Sequence, residues 1–437
     1  MKQAFLSKLA AGELVVGIVG LGYVGLPLAE AYVRKGVRVV GYDISEDRAA
    51  QLNRGESGMR HIKDARVADM VGRKLFRATH RAEDLKEADA ILIAVPTPLD
   101  VHHQPDLSYV EATCETLATV LRPGQLVVLE STTYPGTTEE VMKPILETSG
   151  LKAGVDFALA YSPEREDPGN PDFETATIPK VVGADGADAR DMAKAVYDLI
   201  VTTVMVSDSK TAEATKLVEN IYRWINIAAV NEMKIIFEAM DIDIWEVIDA
   251  AKTKPFGFQA FYPGPGVGGH CIRIDPYYLS YKAREHGLST QFIELAGDVN
   301  TQMPRRVVQR LLEEMSLRLR KPLAGSRILL VGIAYKADID DMRESPALEL
   351  IHLLKSHHAE VSYSDPMIPE IPTTREHPEF AGMKSRDGFE GYDAAVIATD
   401  HSGVDYAALC EAVPLVMDTR NATSAIFERY KDTIVKA

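Results

Sequence analysis

The N-terminal part of the chain alternates between short, continuously apolar runs and longer stretches of helical periodicity. The apolar runs read LVVGIVG, VRVVGYD, ADAILIAVP, QLVVLES, FALAYSP and IPKVVGA. Such runs, without a polar residue at every second position, are typical of strands that are buried on both faces of a parallel sheet. The pattern predicts a doubly wound α/β domain, preceded by a short helix or arm over Met1–Glu13.

The pattern changes at about Ser209, where a long helix over Thr211–Met240 is predicted. It is apolar around much of its circumference, which indicates burial between domains or in a dimer interface. A glycine-rich stretch and further helices follow to about Arg320. A second α/β unit then begins at SRILLVGIAYK and continues with AEVSYSDP and YDAAVIATDH. The predicted boundaries are therefore 1–208, 209–320 and 321–437.

The first strand runs directly into a glycine turn of the form G-x-G-x-x-G. Gly20 permits the tight turn, Gly22 lets the backbone approach a pyrophosphate, and Gly25 allows the helix to pack on the strand. The amides at the helix start favour phosphate charge. Asp43 ends the second strand, where a carboxylate binds ribose hydroxyls and repels a 2′-phosphate. The predicted cofactor is NAD rather than NADP.

Polar residues follow several of the other strands. Thr97, Ser131, Thr132 and Glu164 each lie just beyond a predicted strand end, and ligands of open α/β sheets bind at that edge. Any one of them could be a capping or turn residue, so the interpretation depends on their shared location. In the long helix, Lys216 and Asn220 are four residues apart and share a face. Periodicity leaves a cleft-facing pair and a solvated pair equally plausible.

The stretch Lys254–Leu279 reads KPFGFQAFYPGPGVGGHCIRIDPYYL. Ordering so many glycines is entropically costly, and the usual return is a close approach of backbone to a ligand. Cys271 follows the glycines and Asp275 comes soon after. A cysteine in this setting is a candidate nucleophile if its thiolate is stabilised, and the alternative is a buried structural thiol beside a turn. The density of glycines favours the nucleophile.

Composition narrows the class of protein. The net charge of −16 argues against a nucleic-acid surface. Three widely separated cysteines fit neither a disulfide framework nor a metal site and indicate a reducing compartment, and no signal-peptide core or membrane-length apolar run is present. We therefore expect a cytoplasmic protein. The pairs His102–His103 and His357–His358 lack metal-ligand spacing, so no metal is predicted. Lys336 and Arg343 lie in a predicted strand-end loop, where two cations suit a phosphate.

Taken together, several motifs resemble those of the UDP-glucose/GDP-mannose dehydrogenase family over about Val15 to Asp418. They are GLGYVG, VPTP, ESTTYPGT, SPERED, K-x-x-x-N, GVGGHC-x-x-D and K-x-x-x-D-D-x-R-E-S-P. The resemblance implies two Rossmann-like doubly wound domains joined by a central helical dimerisation domain with a long helix. The first would bind NAD and the last a UDP-sugar, in an enzyme that oxidises C6 twice.

The resemblance also implies roles for individual residues. The catalytic set would be Cys271 as nucleophile with Lys216, Asn220, Asp275, Glu164 and Thr132. NAD would be bound by Gly20, Gly22, Tyr23, Val24, Gly25, Asp43, Arg48, Pro96, Thr97, Thr132 and Arg343, the last possibly across a dimer. The UDP-sugar would be bound by Glu164, Arg165, Lys216, Asn220, Phe261, Tyr262, Gly264, Gly266 and Lys336. Either Asp275, through a water, or Lys216 would act as the base.

The glycine stretch is similar to the branch that oxidises UDP-N-acetylglucosamine. Ile274 stands where the UDP-glucose pattern has lysine, and Arg273 where proline is common in both patterns. Other UDP-hexoses therefore remain alternatives: UDP-glucose, UDP-N-acetylgalactosamine and UDP-N-acetylmannosamine. Two further alternatives are a two-electron hydroxyacid dehydrogenase, which needs no cysteine loop, and a non-catalytic nucleotide-sugar sensor, against which Cys271, Lys216 and Glu164 together argue. The product would supply polysaccharide biosynthesis.

Overall fold

The computed structural model describes residues 1–59, 62–100, 102, 104–165 and 177–437, with the side chains of His270 and Cys271 outside the described set. The chain divides into two compact units. The first comprises Met1–Glu219 with Tyr277–Leu288, and the second Asn220–Pro276 with Ser289–Ala437.

The first unit is built on one sheet, as the apolar runs predict. Its strands are β1 Val15–Val19, β2 Arg38–Tyr42, β3 Phe76–Thr79, β4 Ala90–Ile93, β5 Leu126–Leu129, β6 Ala158–Tyr161, β7 Lys180–Ala184 and β8 Thr203–Met205. Within the described residues their order is β3-β2-β1-β4-β5-β6-β7-β8. All neighbours pair in parallel except β6 and β7. β1, β4, β5 and β6 are buried along their whole length.

Helices cover both faces of this sheet. They are α1 Lys2–Ala10, α2 Gly25–Arg34, α3 Glu46–Asn53, α4 Asp64–Gly72, α5 Ser108–Ala118, α6 Lys143–Leu146 and α7 Ala187–Tyr197. The predicted leading helix is α1, and Phe5 anchors it in the core. The long helix α8 runs over Ser209–Glu238, two residues earlier at each end than predicted.

The second unit contains the glycine stretch and the second α/β fold. Its helices are α9 Ile244–Ala251, α10 His270–Glu285 (which continues into the first unit), α11 Gln291–Glu314, α12 Pro346–Ser356, α13 Tyr406–Ala412 and α14 Phe427–Tyr430. Its strands are β9 Arg327–Val331, β10 Glu360–Ser364, β11 Ala394–Ile397, β12 Val416–Asp418 and β13 Ile434–Lys436. They form a parallel sheet in the order β10-β9-β11-β12-β13.

Local sequence explains where the decisive helices begin. Pro346 at the first position of α12 has no amide to satisfy, and the Ser345 side chain accepts a hydrogen bond from the Ala347 amide. α10 begins at His270, so the backbone of Cys271 lies in its first turn. Throughout the described part of the chain, no helix combines the length and hydropathy needed to cross a membrane.

Both α/β folds use the same glycine device after their first strand. Gly20 has φ of +90°, and a Cβ there would lie 2.5 Å from the Ala94 carbonyl oxygen. Gly332 has φ of +77°, and a Cβ there would lie 2.5 Å from the Thr399 oxygen. In each case only glycine fits the turn, because a side chain would collide with the neighbouring strand's end.

Candidate active site

The glycine turn after β1 has the shape that a pyrophosphate requires. Gly25 lies against the Gly20 carbonyl, where no side chain fits, whereas the space beside Gly22 contains no atom within 4 Å of a Cβ position. The first contact explains helix–strand packing and the second leaves the backbone open to a ligand. Tyr23 is 38% exposed beside this opening.

Asp43 and Arg48 both lie against the glycine turn. One carboxylate oxygen of Asp43 accepts from the Leu21 amide at 3.1 Å and the other from the Ser45 amide at 3.0 Å. Arg48 donates through Nε and Nη2 to the Leu21 carbonyl at 3.2 and 2.9 Å. Burial lowers the pKa of Arg48. Arg48 thus braces the turn, a contact that its predicted role toward NAD did not include.

The strand-end residues lie along the carboxyl edge of the first sheet. Thr97 is buried and its carbonyl accepts from the Tyr278 hydroxyl at 3.1 Å, while Pro96 beside it is exposed. The Ser131 hydroxyl donates to the Val95 carbonyl at 2.7 Å. These bonds fix the loops after β4 and β5 at the edge where ligands of this fold bind.

Lys216 of α8 reaches the loop after β5. Its ammonium donates to the Thr132 hydroxyl at 2.6 Å, and both residues are 5% exposed. Lys216 therefore does not lie on a solvated stripe of the helix, while its position in a ligand cleft remains a prediction. Thr132, predicted to contact cofactor and water, is the group that orients it.

Glu164 belongs to a buried set of charges. The Lys180 ammonium lies 3.1 Å from Glu164 Oε2 and 2.6 Å from Glu130 Oε2, and the Tyr197 hydroxyl donates to Glu130. Burial alone would raise the pKa of Glu164, but the charge and hydrogen bond of Lys180, with the charge of Lys216, outweigh it and lower that pKa. Glu164 is thus a carboxylate held ionised in a buried place, which suits a general base.

Sequence reasoning missed Lys180, although a signal was present. The run IPKVVGA was interpreted only as a strand, and a lysine in a fully buried strand is rare unless it is paired. Burial opposes its charge, but Glu130 and Glu164 outweigh this and raise the pKa of Lys180 well above its usual range. Its partners lie 50 and 16 positions away (180 − 130 and 180 − 164).

Arg165 follows Glu164 and has a partner of its own. Its guanidinium forms a two-pronged ion pair with Glu219 of α8, at 3.1 and 2.6 Å, and donates to the Pro179 carbonyl at 2.6 Å. The Arg165 amide donates to Glu164 Oε1 at 2.8 Å. Arg165 therefore fixes the segment that carries Glu164, while its predicted contact with the UDP-sugar remains a prediction.

The second unit contains Asn220, Asp275 and Cys271. The Asn220 side-chain amide donates to Asp275 Oδ2, and Asp275 is fully buried in the first turns of α10. The structure thus brings together two of the polar groups predicted around the nucleophile. The Cys271 side chain lies outside the described residues, so its role stays a prediction from the sequence.

The glycines before Cys271 let the backbone approach protein groups closely. Gly266 and Gly269 have φ of +136° and +87°. A Cβ on Gly268 would lie 2.6 Å from the Tyr335 side chain, and one on Gly264 2.6 Å from the Arg420 guanidinium. The approach expected toward a ligand is thus made, at these two positions, toward residues of the second α/β fold.

The buried side-chain amides of Asn231 and Asn300 also hold the glycine segment in place. The Gly264 amide donates to Asn231 Oδ1 at 3.0 Å, and Asn231 donates to Asn300 Oδ1 at 3.0 Å. Asn300 in turn donates to the Trp224 carbonyl at 3.2 Å. This chain of hydrogen bonds links the loop to α8 and α11 and thereby restrains it.

Arg420 is a second functional candidate that sequence reasoning missed. It follows β12, donates through Nε to the Ala398 carbonyl at 2.9 Å and is partly buried. Burial lowers the pKa of Arg420, against the charges of Asp400 and Asp418. Its place after an apolar strand, in VMDTR, repeats the strand-end signal by which Lys336 and Arg343 were predicted. A partly buried guanidinium at that edge suits a diphosphate.

Lys336 and Arg343 lie in the loop between β9 and α12. The Arg343 guanidinium forms a two-pronged ion pair with Asp341, at 3.0 and 2.7 Å, and 44% of its side chain is exposed. The Arg343 carbonyl accepts from the Gly269 amide at 3.3 Å. Their contacts with NAD and the UDP-sugar remain predictions.

The aromatic residues of the glycine stretch pack partly on α8 and α9. The Tyr262 ring stacks on Trp245 with centroids 5.6 Å apart and planes 15° apart. The Phe261 ring meets Tyr222 edge-on at 5.7 Å. Phe258 is 42% exposed and lines a groove of about 590 Å³.

Arg273, the departure from the common proline, forms an ion-pair cluster in the second unit. Its guanidinium lies 3.1 Å from Glu344 and 3.4 Å from Glu376. Burial and the neighbouring Glu376 raise the pKa of Glu344 to about 7. A proline could not make these contacts, so this residue ties the start of α10 to the segment before α12.

The sequence matches three domains of one family along its length. They are the NAD binding domain of the UDP-glucose/GDP-mannose dehydrogenase family over residues 14–201, its central domain over 210–302 and its UDP binding domain over 329–425.

Individual relatives agree with these matches. UDP-N-acetyl-D-glucosamine 6-dehydrogenase of Pseudomonas aeruginosa is 37% identical over 393 residues, covering 89% of this chain and 91% of the relative. UDP-N-acetyl-D-mannosamine dehydrogenase of Pyrococcus horikoshii is 35% identical over 417 residues, covering 93% and 95%. The solved structure of UDP-D-ManNAc dehydrogenase from Pyrococcus horikoshii superimposes with a TM-score of 0.83 at 34% identity, covering 94% and 96%.

The matched NAD binding domain contains the glycine turn and Asp43, and the open space at Gly22 fits the dinucleotide. The fold is the predicted pair of Rossmann-like domains with a central helical domain, and the cofactor is NAD. This chain is therefore an oxidoreductase that belongs to the UDP-glucose/GDP-mannose dehydrogenase family.

Proposed function

We propose that the protein oxidises the C6 hydroxyl of a UDP-N-acetylhexosamine to the acid in two NAD-dependent steps through a thioester on Cys271. The observation that carries this proposal is the ionised, buried Glu164, kept charged by Lys180 and accompanied by the Lys216–Thr132 pair. A second base, in addition to the one that takes the C6 hydroxyl proton, has no use in an alcohol oxidation that ends at the aldehyde. It is needed where water must attack an acyl intermediate.

NAD supplies the chemistry of hydride acceptance at C6 in both oxidations. The glycine turn at Gly20–Gly25 and Asp43 would hold its pyrophosphate and ribose. The C6 hydroxyl loses its proton as the hydride leaves, either to a water held by Asp275 or to Lys216 in its neutral form. Both alternatives from the sequence stay open, since both groups are buried.

The chain's own side chains carry the remaining steps. The Cys271 sulfur attacks the aldehyde carbon and forms a thiohemiacetal, whose oxyanion the Lys216 ammonium and the Asn220 amide stabilise. The second oxidation converts it to a thioester. Glu164 then takes a proton from water, which adds to the thioester carbon and expels the Cys271 thiolate. Each turnover consumes one water and two NAD⁺ and forms two NADH.

The backbone position of Cys271 supports the nucleophile. It lies in the first turn of α10, where unpaired amides and the helix dipole stabilise anions.

Counting NADH per sugar consumed tests the proposed four-electron oxidation. Two NADH per sugar, with the acid as product, is the expected result, whereas one NADH with released aldehyde would identify a two-electron dehydrogenase.

We predict that Asp43→Asn narrows the preference for NAD over NADP by about ten- to a hundredfold. The reason is that a carboxylate repels the 2′-phosphate, whereas asparagine keeps an acceptor for the Leu21 amide. The measurement is kcat/KM with both cofactors. Asp47→Asn, an exposed acid on α3, is the matched control. Equal efficiency with both cofactors in the unaltered protein would contradict the assignment.

For the sugar, we infer UDP-N-acetylglucosamine as the preferred substrate, then UDP-N-acetylgalactosamine, then UDP-N-acetylmannosamine. Support comes from the similarity to dehydrogenases named for acetamido sugars. An acetamido site presents polar partners and an apolar wall, which Phe258, Phe261 and Tyr262 could provide. UDP-glucose leaves such partners unpaired, so we expect roughly ten- to a thousandfold lower kcat/KM. A highest kcat/KM for UDP-glucose would refute this assignment and leave the four-electron route intact.

We also propose that the protein forms a homodimer through α8. One face of this helix exposes Tyr222, Met233 and Ile236, between 41% and 50% exposed. Exposed apolar side chains on one helix face are typical of an interface, and a second copy presents the same face.

The dimer proposal is tested by light scattering after gel filtration. Ile236→Asp is expected to shift the mass from dimer toward monomer, because it would bury a charge in the interface. Leu317→Asp is the matched control, since Leu317 is 75% exposed away from this face. A monomeric unaltered protein, or an unchanged mass for Ile236→Asp, would contradict the proposal.

A further inference from the structure

A cluster of imidazole and carboxylate groups lies on the outer side of the second α/β fold. His352 is on α12, and His377 and Glu379 belong to the short segment before and within the helical turn Pro378–Phe380. One ligand atom from each of the three lies within 4.8 Å of the others. The active-site residues named above are not part of this cluster.

The distances approach those of a tetrahedral metal site. His377 Nδ1 lies 3.2 Å and His352 Nδ1 3.7 Å from the same Glu379 oxygen. Ligands at about 2.0–2.1 Å from a tetrahedral zinc ion lie about 3.3 Å from one another. A small rotation of the exposed His352 would bring all three within reach of one ion.

The surroundings of His377 resemble the support of a metal ligand. Its Nε2 atom lies 3.6 Å from a carboxylate oxygen of Glu349, which is one helical turn before His352. Metal-bound histidines commonly donate their other ring N–H to a carboxylate, which fixes the tautomer and orientation. The His377 ring also stacks on the buried Phe380, with centroids 5.3 Å apart and planes 17° apart.

We propose that His352, His377 and Glu379 bind a divalent transition-metal ion of the zinc class, with Glu349 orienting His377. Two imidazoles and one carboxylate are the ligands that such ions prefer, and hard ions such as Mg²⁺ prefer all-oxygen sites. Water would complete the coordination. The bound ion would link α12 to the segment 374–380. This segment contains Glu376, which forms an ion pair with Arg273 on α10.

No sequence pattern indicates this site, because His352 lies 25 positions before His377 (377 − 352) and only the fold brings the two together. The adjacent histidine pairs at His102 and His357 are not part of it. His102, His357 and His358 are exposed, and His103 lies outside the described residues.

The test is a titration of the full-length, tag-free protein with Co²⁺, which takes zinc-type ligands and reports them by visible absorption. We expect one saturable site with nitrogen and oxygen ligation, which is spectroscopically distinct from Co²⁺–thiolate binding at a cysteine. His352→Gln and His377→Gln should each remove this absorption. Glu349→Gln should weaken binding by about ten- to a hundredfold without removing a ligand.

His357→Gln, an exposed histidine just after the end of the same helix, is the matched control and should titrate like the unaltered protein. His352 is itself exposed, so its loss leaves folding intact and keeps the test valid if His377→Gln is unstable. No visible absorption in the unaltered protein, or absorption that persists in His352→Gln, would overturn the proposal.

Discussion

Replacing Cys271 by serine is expected to lower formation of the acid by about 10³-fold or more, because the proposed route to the acid depends on a sulfur that can be acylated and then released. A serine hydroxyl is a weaker nucleophile toward the aldehyde, and its ester would hydrolyse slowly. NADH formation should stop after the first oxidation or stall before it. Rapid-quench mass spectrometry of the sugar and the protein would show which.

The other two cysteines offer a matched control. Burial raises the pKa of Cys114 to about 12 and that of Cys410 to about 11, so both thiols are protonated at neutral pH. Cys410→Ala should lose some stability through a small cavity but keep its kcat per folded molecule. Unimpaired turnover of Cys271→Ser to the acid would exclude a covalent thioester.

Replacing Lys180 by methionine is expected to destabilise the protein by about 3–5 kcal/mol at neutral pH and to slow release of the acid. Lys180 is the ammonium between Glu130 and Glu164, and its removal leaves two buried carboxylates without their nearest counter-charge. The pKa of Glu130, which burial already raises, should then rise further, and the pKa of Glu164 should rise above that of the unfolded chain. A raised carboxyl pKa makes the folded state take up protons, so the destabilisation grows as pH rises and is relieved at low pH.

The measurements are urea unfolding at pH 5.5 and pH 8, and the pH profile of kcat. Lys180→Met should show the larger loss of stability at pH 8. Its pH profile of kcat should move to higher pH if Glu164 acts as the base, as proposed. The double variant Lys180→Met/Glu130→Gln removes one of the two charges and should recover part of the stability. Equal stability of Lys180→Met and the unaltered protein at both pH values would show that Lys180 does not stabilise the folded state through Glu130 and Glu164.

Much of the fold followed from patterns that operate over short distances along the chain. The apolar runs predicted nine of the thirteen strands in the described residues, whereas β3, β8, β12 and β13 lie outside those runs. Gly20, Gly25 and Pro346 lie where their backbone properties require them. These features are local because a strand's burial, a turn's φ angle and a helix start each depend on a few neighbouring residues. The glycine turn and Asp43 thereby pointed to NAD before any tertiary structure was considered.

The local sequence could not predict which charged side chains are paired at the candidate site. Lys180 reads as one residue of a strand, and only the fold places it between Glu130 and Glu164. Nothing in the local sequence distinguishes Arg420 from the other arginines, and only the fold places its guanidinium against Gly264. Sequence alone determined which elements form and which residues stand at their ends, because these depend on local patterns. Tertiary structure decided which of those residues share a buried environment, because ion pairing and desolvation depend on distances between residues far apart in the chain.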